Sequence, residues 1–363
     1  MSGRAEGSGL RYGWTTGACA TASTAAAYTA LLTGTFPDPV EIVLPKGHRP
    51  AFALAREQLG DGFATAGVVK DAGDDPDVTH GALVSVTVRP AEPGAGVVFR
   101  AGDGVGTVTK PGLPLPVGEP AINPVPRQLM REVVERVAAE HGGSGDVIVE
   151  VSVDGGAELA RRTWNPRLGI LGGLSILGTT GVVVPYSCSA WIDSIRRGVD
   201  VARAAGLQHV AGCTGSTSEK VAAQLHDLPG EALLDMGDFA GAVLKYLRRH
   251  PVPRLTVAGG IGKISKLADG HLDLHSKRSQ VDFARLAAIV GEAGGGSDLV
   301  TRIAGANTAL EALHLCTDAN IPLGDLIAHR ARQFCLETLR GAPIEVDVVV
   351  IDRAGTVVGH APA

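Results

Sequence analysis

Apolar and polar positions alternate through Val40–Leu44, Ala82–Arg89 and Val147–Val153, which predicts three half-buried strands in the first part of the chain. Ahead of them, Thr15 and Thr16 open an alanine- and serine-rich run that reads as a helix to about Leu32. One threonine is its natural N-cap and Gly34 its C-cap. A stripe of Met130, Val133, Val134 and Val137 marks a second helix ending near Ala139. The rhythm then changes. Ala190–Ala205 is amphipathic, with Trp191, Ile195, Val199 and Ala202 on one face. After it, short strands at Gln208–Ala211, Ala232–Asp235 and Arg254–Ala258 alternate with helices starting at Glu219, at Phe239 and just after Lys263, through glycine turns at Gly212–Gly215 and Gly259–Gly262. Residues 297–339 read as helical and Glu345–Asp352 as a strand, closed by a hairpin turn at Arg353–Thr356. The fold class is therefore α/β: a mixed α+β N-terminal domain (10–205), a Rossmann-like α/β domain (206–345) and a C-terminal strand and hairpin (346–363).

Composition adds limits. A hydrophobic fraction of 45% with 20% charged residues is that of an ordinary globular protein, but 49 glycines and 21 prolines in 363 residues imply many tight, backbone-lined loops. A net charge of −5 argues against a general nucleic-acid binder. Cys19, Cys188, Cys213, Cys316 and Cys335 are scattered, with no C-x-x-C pair and no Cys/His zinc spacing, so no protein metal site is expected and a cytoplasmic location is. The apolar run Ala18–Leu32 is interrupted by Thr21, Ser23, Thr24 and Thr29, so no membrane span is expected. Residues 1–9 are small and polar, an end expected to fray.

Candidate chemistry gathers in four places. Arg167–Gly181 mixes Ile170, Leu171, Leu174, Ile176 and Leu177 with five glycines and ends in Gly178-Thr179-Thr180-Gly181, whose hydroxyls and amides suit an anion. Thr15-Thr16-Gly17 sits at a helix start, where capping accounts for only one threonine. Lys70-Asp71-Ala72-Gly73-Asp74-Asp75-Pro76-Asp77 is the densest acid cluster and lacks the final glutamate of a calcium loop; a solvated turn is the alternative to a functional loop. In the second half, Gly212-x-x-Gly215 is followed about twenty residues later by Asp235, where a ribose-binding acid belongs, and Gly260-Ile261-Gly262-Lys263 forms a second such turn. A purely structural βαβ layer remains the alternative.

Taken together, these strings resemble the CbiD family of cobalamin biosynthesis, the S-adenosylmethionine-dependent methylases of cobalt-precorrin-5B. The resemblance is carried by Tyr12–Gly17, Lys70–Thr79, Gly104–Gly106, Lys110–Leu113, Pro120–Arg127, Thr163–Ile170, Ser175–Gly181, Gly260–Lys263 and His275-Ser276, in order from Arg11 to Arg285. The sequence departs from the family pattern at Val184-Pro185-Tyr186-Ser187-Cys188, at Cys213 and at Leu274. The resemblance implies transfer of a methyl group to C-1 of the substrate to give cobalt-precorrin-6A, with S-adenosyl-L-methionine as donor and cobalt present only within the substrate. The substrate partner is then a small-molecule tetrapyrrole rich in carboxylates, for which Arg and backbone amides are suited. It places Thr15, Thr16, Lys70, Lys110, Arg127, Arg167 and Gly178, Thr179, Thr180 and Gly181 at the substrate. Asp71, Asp74 and Asp75 are the catalytic candidates, and Gly212, Gly215, Asp235, Gly260, Gly262 and Lys263 the donor contacts. Alternatives are a nucleotide-dependent phosphotransferase, although no G-x-x-x-x-G-K-[ST] loop is present, and a non-catalytic tetrapyrrole carrier. A homo-oligomer is left open.

Overall fold

The computed structural model describes residues 9–363; residues 1–8 of the start expected to fray lie outside the described residues. The chain divides into two compact units, Met1–Cys188 and Ser189–Ala363.

The first unit is built on helix α1 (Thr16–Thr33) against a five-stranded sheet. Its strands are β1 (Arg56–Gly60), β2 (Phe63–Val69), β3 (Leu83–Pro90), β4 (Val97–Ala101) and β5 (Val147–Val153), in the order β1-β2-β3-β5-β4. Every neighbouring pair is antiparallel except β4 with β5. α1 behaves as its sequence predicts. Thr15 Oγ1 accepts from Ala18 N–H at 3.2 Å, and Gly34, at φ 78°, donates its N–H to Ala30 O. Its residues are so small that almost the whole circumference is buried: β2 and β3 pack on it, as does α2 (Pro124–His141). Ser23 bonds across to Val84 O of β3 at 3.1 Å. In β5, Val147, Val149, Val151 and Val153 are buried and the residues between them half-exposed, a clean record of the period of two. The polar edge strand β1, Arg-Glu-Gln-Leu-Gly, has no such record, which is why alternation did not find it.

The second unit begins one residue into α3 (Cys188–Ala204), whose Ile195, Val199 and Ala202 join the same core as Val210 and Leu234. Strand, turn and helix then repeat: β6 (His209–Cys213), α4 (Ser216–His226), β7 (Leu233–Asp235), α5 (Ala240–Leu247), β8 (Arg254–Gly260), α6 (Ile261–Ala268). Four more helices follow, α7 (Phe283–Glu292), α8 (Ser297–Ala304), α9 (Ala309–Asp318) and α10 (Leu323–Leu339), before β9 (Glu345–Ile351) and β10 (Val357–Ala361). The sheet order is β7-β6-β8-β9-β10, parallel except for the antiparallel β10. β8 and β9 read as nearly continuous apolar runs because helices cover both faces of a parallel sheet. No helix among the described residues is long and apolar enough to cross a membrane.

Candidate functional site

In the second unit a cavity of ≈ 780 Å³ opens beyond the carboxyl ends of β6, β8 and β9, the usual place for a ligand in a parallel α/β sheet. Three helices aim their N-termini at it. α4 starts at Gly215-Ser216, α6 at Gly260-Ile261 and α9 at Thr308-Ala309, and all six residues line the cavity. Each helix start concentrates unsatisfied N–H groups and the positive end of the helix dipole, so the three together favour an anionic group. Thr308 caps α9 through Glu311 N–H, whereas Gly260 has no side chain with which to cap α6. A Cβ built on Gly215 or Gly260 meets nothing within 4 Å, so their missing side chains leave open space rather than relieve crowding.

Cations reinforce the field. Lys263 Nζ reaches Asp238 Oδ1 and Thr214 O, each at 3.1 Å. Lys266 is buried and donates to Leu274 O at 2.9 Å, and loss of solvent lowers its pKa. Arg353 and Asp352 also line the cavity. Asp352 accepts from Thr356 N–H at 2.8 Å and Ala354 N–H at 2.9 Å, and these backbone donors hold its pKa below the usual carboxylate value. Ile261, Val281, Phe283 and Leu310 supply an apolar wall.

The cavity thus gathers Gly215, Gly260, Gly262 and Lys263 from the expected donor contacts. Gly212 and Asp235 are not in its lining. Gly212 lies within β6, opposite Leu234 and Val257, and Asp235 ends β7 with its carbonyl accepting from Trp191 Nε1. Sequence reasoning missed Lys266, Asn307, Thr308, Asp352 and Arg353. The Asn307-Thr308 pair before an apolar-periodic run with Glu311 was a usable capping signal. In the sequence Asp352 reads as the end of a strand and Arg353 as the start of a hairpin turn, with no sign of a ligand.

In the first unit the expected substrate residues meet around the start of α1. Gly17 N–H donates to Leu177 O at 3.0 Å, Thr16 Oγ1 accepts from Leu177 N–H at 3.1 Å, and Thr15 N–H donates to Gly181 O at 3.0 Å. Gly178, at φ 137°, lies against Thr15 so closely that a Cβ would overlap the threonine side chain. Thr180 Oγ1 accepts from Val182 N–H at 3.3 Å, and Thr179 is exposed. The acid loop ties neighbouring backbone. Asp71 forms a two-pronged pair with the Arg11 guanidinium and accepts from Gly73 N–H; Asp74 accepts from Arg11 N–H at 2.6 Å; Asp75 accepts from Tyr186 N–H at 2.8 Å. The Arg11 pairing, assisted by Gly73, holds Asp71 below the ordinary carboxylate range. Lys70 is buried on Asp77 and Thr79 Oγ1. Arg127 donates to Ile122 O, Glu119 and Pro120 O and lies over the Phe99 ring. Arg167 stacks 4.9 Å from the Trp164 ring centroid, and the Lys110 stem packs on Gly169.

This is a two-part α/β protein whose Rossmann-like second unit carries a ligand-sized cavity at its strand ends. The chain belongs to the CbiD family: the CbiD family model matches residues 3–185 and the model for the CbiD C-terminal domain matches residues 273–362. Relatives from Brucella anthropi and Brucella canis, both named cobalt-precorrin-5B C(1)-methyltransferase, are each 62% identical over 97% of this chain and 95% of theirs. A crystal structure of a cobalamin biosynthesis protein (cbiD) from Archaeoglobus fulgidus is similar over 86% of this chain and 85% of that one, at 22% identity and a TM-score of 0.40.

Proposed function

We propose that the chain is a methyltransferase that methylates C-1 of cobalt-precorrin-5B in cobalamin biosynthesis, with S-adenosyl-L-methionine as donor. The observation that carries this reading is the 62% identity over 97% of the chain to proteins bearing that name. When bound, S-adenosylmethionine supplies a methyl group already activated on a sulfonium. The cavity of the second unit fits such a donor. The first-turn amides at Ser216, Ile261 and Ala309, with Lys263, suit its carboxylate, Asp352 suits its ribose hydroxyls or ammonium, and Phe283 with Ile261 suits its adenine. The volume lies in the range of sites that bury ligands of this size.

In the first unit we assign recognition of the substrate carboxylates to Arg167 and Lys110, with Thr179, exposed near the end of the glycine-rich loop, as a further contact. Leu171 and Leu177, 52% and 48% exposed on the same loop, suit the flat apolar faces of a macrocycle. The bonds made by Thr15, Thr16, Gly178, Gly181, Lys70 and Arg127 favour a role in shaping that loop. Those of Asp71, Asp74 and Asp75 favour anchoring Arg11 and Tyr186. Asp71 in particular is a weak base, because its Arg11 pairing favours the charged form.

The test is to incubate the purified chain with cobalt-precorrin-5B and S-adenosylmethionine. We expect a product heavier by one methylene and an equal amount of S-adenosylhomocysteine. Failure to bind S-adenosylmethionine, with a nucleoside triphosphate bound in its place, overturns the reading in favour of a phosphotransferase. Binding of both ligands without turnover favours a carrier.

A further inference from the structure

At the other end of the same sheet, where the parallel strands of the second unit begin, lies a polar cluster that the proposed transfer does not use. Asp347 on β9 is fully buried, and three imidazoles converge on its carboxylate. His226, the last residue of α4, places Nε2 3.1 Å from Oδ2; His360 of β10 places Nε2 3.7 Å from Oδ2; His209, the first residue of β6, places Nε2 4.0 Å from Oδ1. Thr256 Oγ1 donates to Oδ1 at 2.8 Å and lies 2.8 Å from His209 Nε2. Arg254 Nε stands 3.5 Å from Oδ1, with its side chain 39% exposed.

The donors around this carboxylate are unevenly paired. His226 Nε2 and Thr256 Oγ1 bond the carboxylate and His209 Nε2 meets Thr256 Oγ1, but among the described residues the buried His360 Nε2 and Arg254 Nε have no hydrogen-bond partner. Buried donors left this way are costly. A cation resolves the imbalance by changing what the imidazoles do. A neutral imidazole with its proton on Nδ1 offers Nε2 as a lone pair, and a metal accepts it.

The ligand set and spacing are right for this. One atom each from His209, His226 and Asp347 lies within 4.8 Å of the other two. A tetrahedral zinc ion with bonds of ~2.0–2.2 Å sets its ligand atoms ~3.3 Å apart, so closure of the observed gaps is a matter of side-chain rotation. His360 approaches as a fourth donor, and Thr256 is placed to orient the carboxylate. Arg254, being partly exposed, can withdraw towards solvent as the ion arrives.

We infer that His209, His226 and Asp347, completed by His360, form a binding site for one divalent transition-metal ion of the zinc class. The site joins β6, the end of α4, β9 and β10. Its work is to tie together the strand starts of the second unit, and it stands apart from methyl transfer. Sequence spacing gave no hint of it because the ligands lie at positions 209, 226, 347 and 360, and only the sheet brings them together. This departs from the expectation, drawn from the cysteines, that the protein has no metal site of its own.

The experiment uses the untagged full chain, stripped with chelator and dialysed, titrated with Zn(II) by calorimetry and with Co(II) by visible absorption. We expect one saturable equivalent per chain, a tetrahedral-type Co(II) spectrum displaced by Zn(II), and a raised unfolding midpoint with metal. The double variant His209→Gln/His226→Gln should lose at least about 100-fold in Zn(II) affinity and all metal-dependent stabilisation. Absence of saturable binding to the wild-type chain overturns the inference, as does unchanged affinity in the folded double variant. If the double variant does not fold, the wild-type Co(II) spectrum decides: bands of an imidazole-ligated site support the inference, and the spectrum of hydrated Co(II) overturns it.

Discussion

At the scale of single residues, the most consequential charge in the first unit is Lys70, 1% exposed and joined to Asp77 and Thr79. The sequence showed a lysine beside four aspartates, which reads as a solvated loop or a ligand-facing one. It did not show that the lysine turns inward, because burial of a charge is decided by a partner whose position only the fold sets. Asp77→Ala leaves that ammonium with Thr79 as its remaining hydrogen-bond partner among the described residues, and breaking a buried pair in this way costs about 3–5 kcal/mol. Urea unfolding should show the loss directly, whereas the exposed Arg49–Glu41 pair, removed as a control, should change stability by less than about 1 kcal/mol. The pair also predicts an acid response. Burial opposes ionisation of Asp77, but the Lys70 charge and the Lys70 and Thr79 hydrogen bonds outweigh it and hold the folded pKa below the ordinary value. In the window between the folded value and the unfolded value of ~3.9, the unfolded chain then binds the extra proton. The pair's contribution is therefore complete above that window and is lost as pH falls through the folded value. Wild type should lose stability more steeply than Asp77→Asn between pH 5 and pH 3. Parallel profiles would remove Asp77 from the acid response.

At the scale of elements, the legible parts of the fold were those whose pattern has a local cause. The N-cap and C-cap of α1 stand at Thr15 and Gly34, and the alternation in β5 runs from Val147 to Val153, because capping and pleating act over a few residues. Edge strands without a buried face, such as β1, left no period to read. Nor did the sequence show which glycines are contacts between elements. Gly324 in α10 and Gly359 in β10 press backbone to backbone: a Cβ on Gly324 would overlap Val358 O, and one on Gly359 would overlap the Gly324 backbone. Backbone cannot swing aside as a side chain can, so Gly359→Ala should destabilise the second unit by about 3 kcal/mol, the upper end of overpacking costs. Gly230→Ala, where a Cβ meets nothing within 4 Å, serves as the control and should leave the melting temperature within a degree or two. Equal melting temperatures for the two variants would mean that α10 and β10 can part without cost.

At the scale of the whole molecule, the chemistry of the candidate site was half legible. Glycine turns after strands β6 and β8 announced a cavity, because the turn residues and the strand period are neighbours in sequence. The residues that complete it, Asn307, Thr308, Asp352 and Arg353, come from distant segments that the sheet order alone brings to the same end. Adjacent Gly259 and Gly260 separate the two meanings of a glycine in such a place. Gly259 is a packing glycine: its Cβ would lie 2.7 Å from Thr214 Cγ2, so a side chain there must push β6 and β8 turns apart. Gly260 has φ −65° and ψ 148°, which any residue adopts, and its Cβ would enter the open cavity at the start of α6. Gly259→Val should therefore lower the unfolding midpoint and impair ligand binding only as a consequence. Gly260→Val should keep the wild-type midpoint while weakening S-adenosylmethionine by at least tenfold, about 1.4 kcal/mol, because the isopropyl group takes the volume the ligand needs beside the α6 amides. Calorimetric titration of both variants, read beside their melting curves, checks the pair. Full S-adenosylmethionine affinity in a stable Gly260→Val chain would move the donor out of this cavity. It would leave the membership of the CbiD family untouched, since that rests on the length of the match and not on where the donor lies.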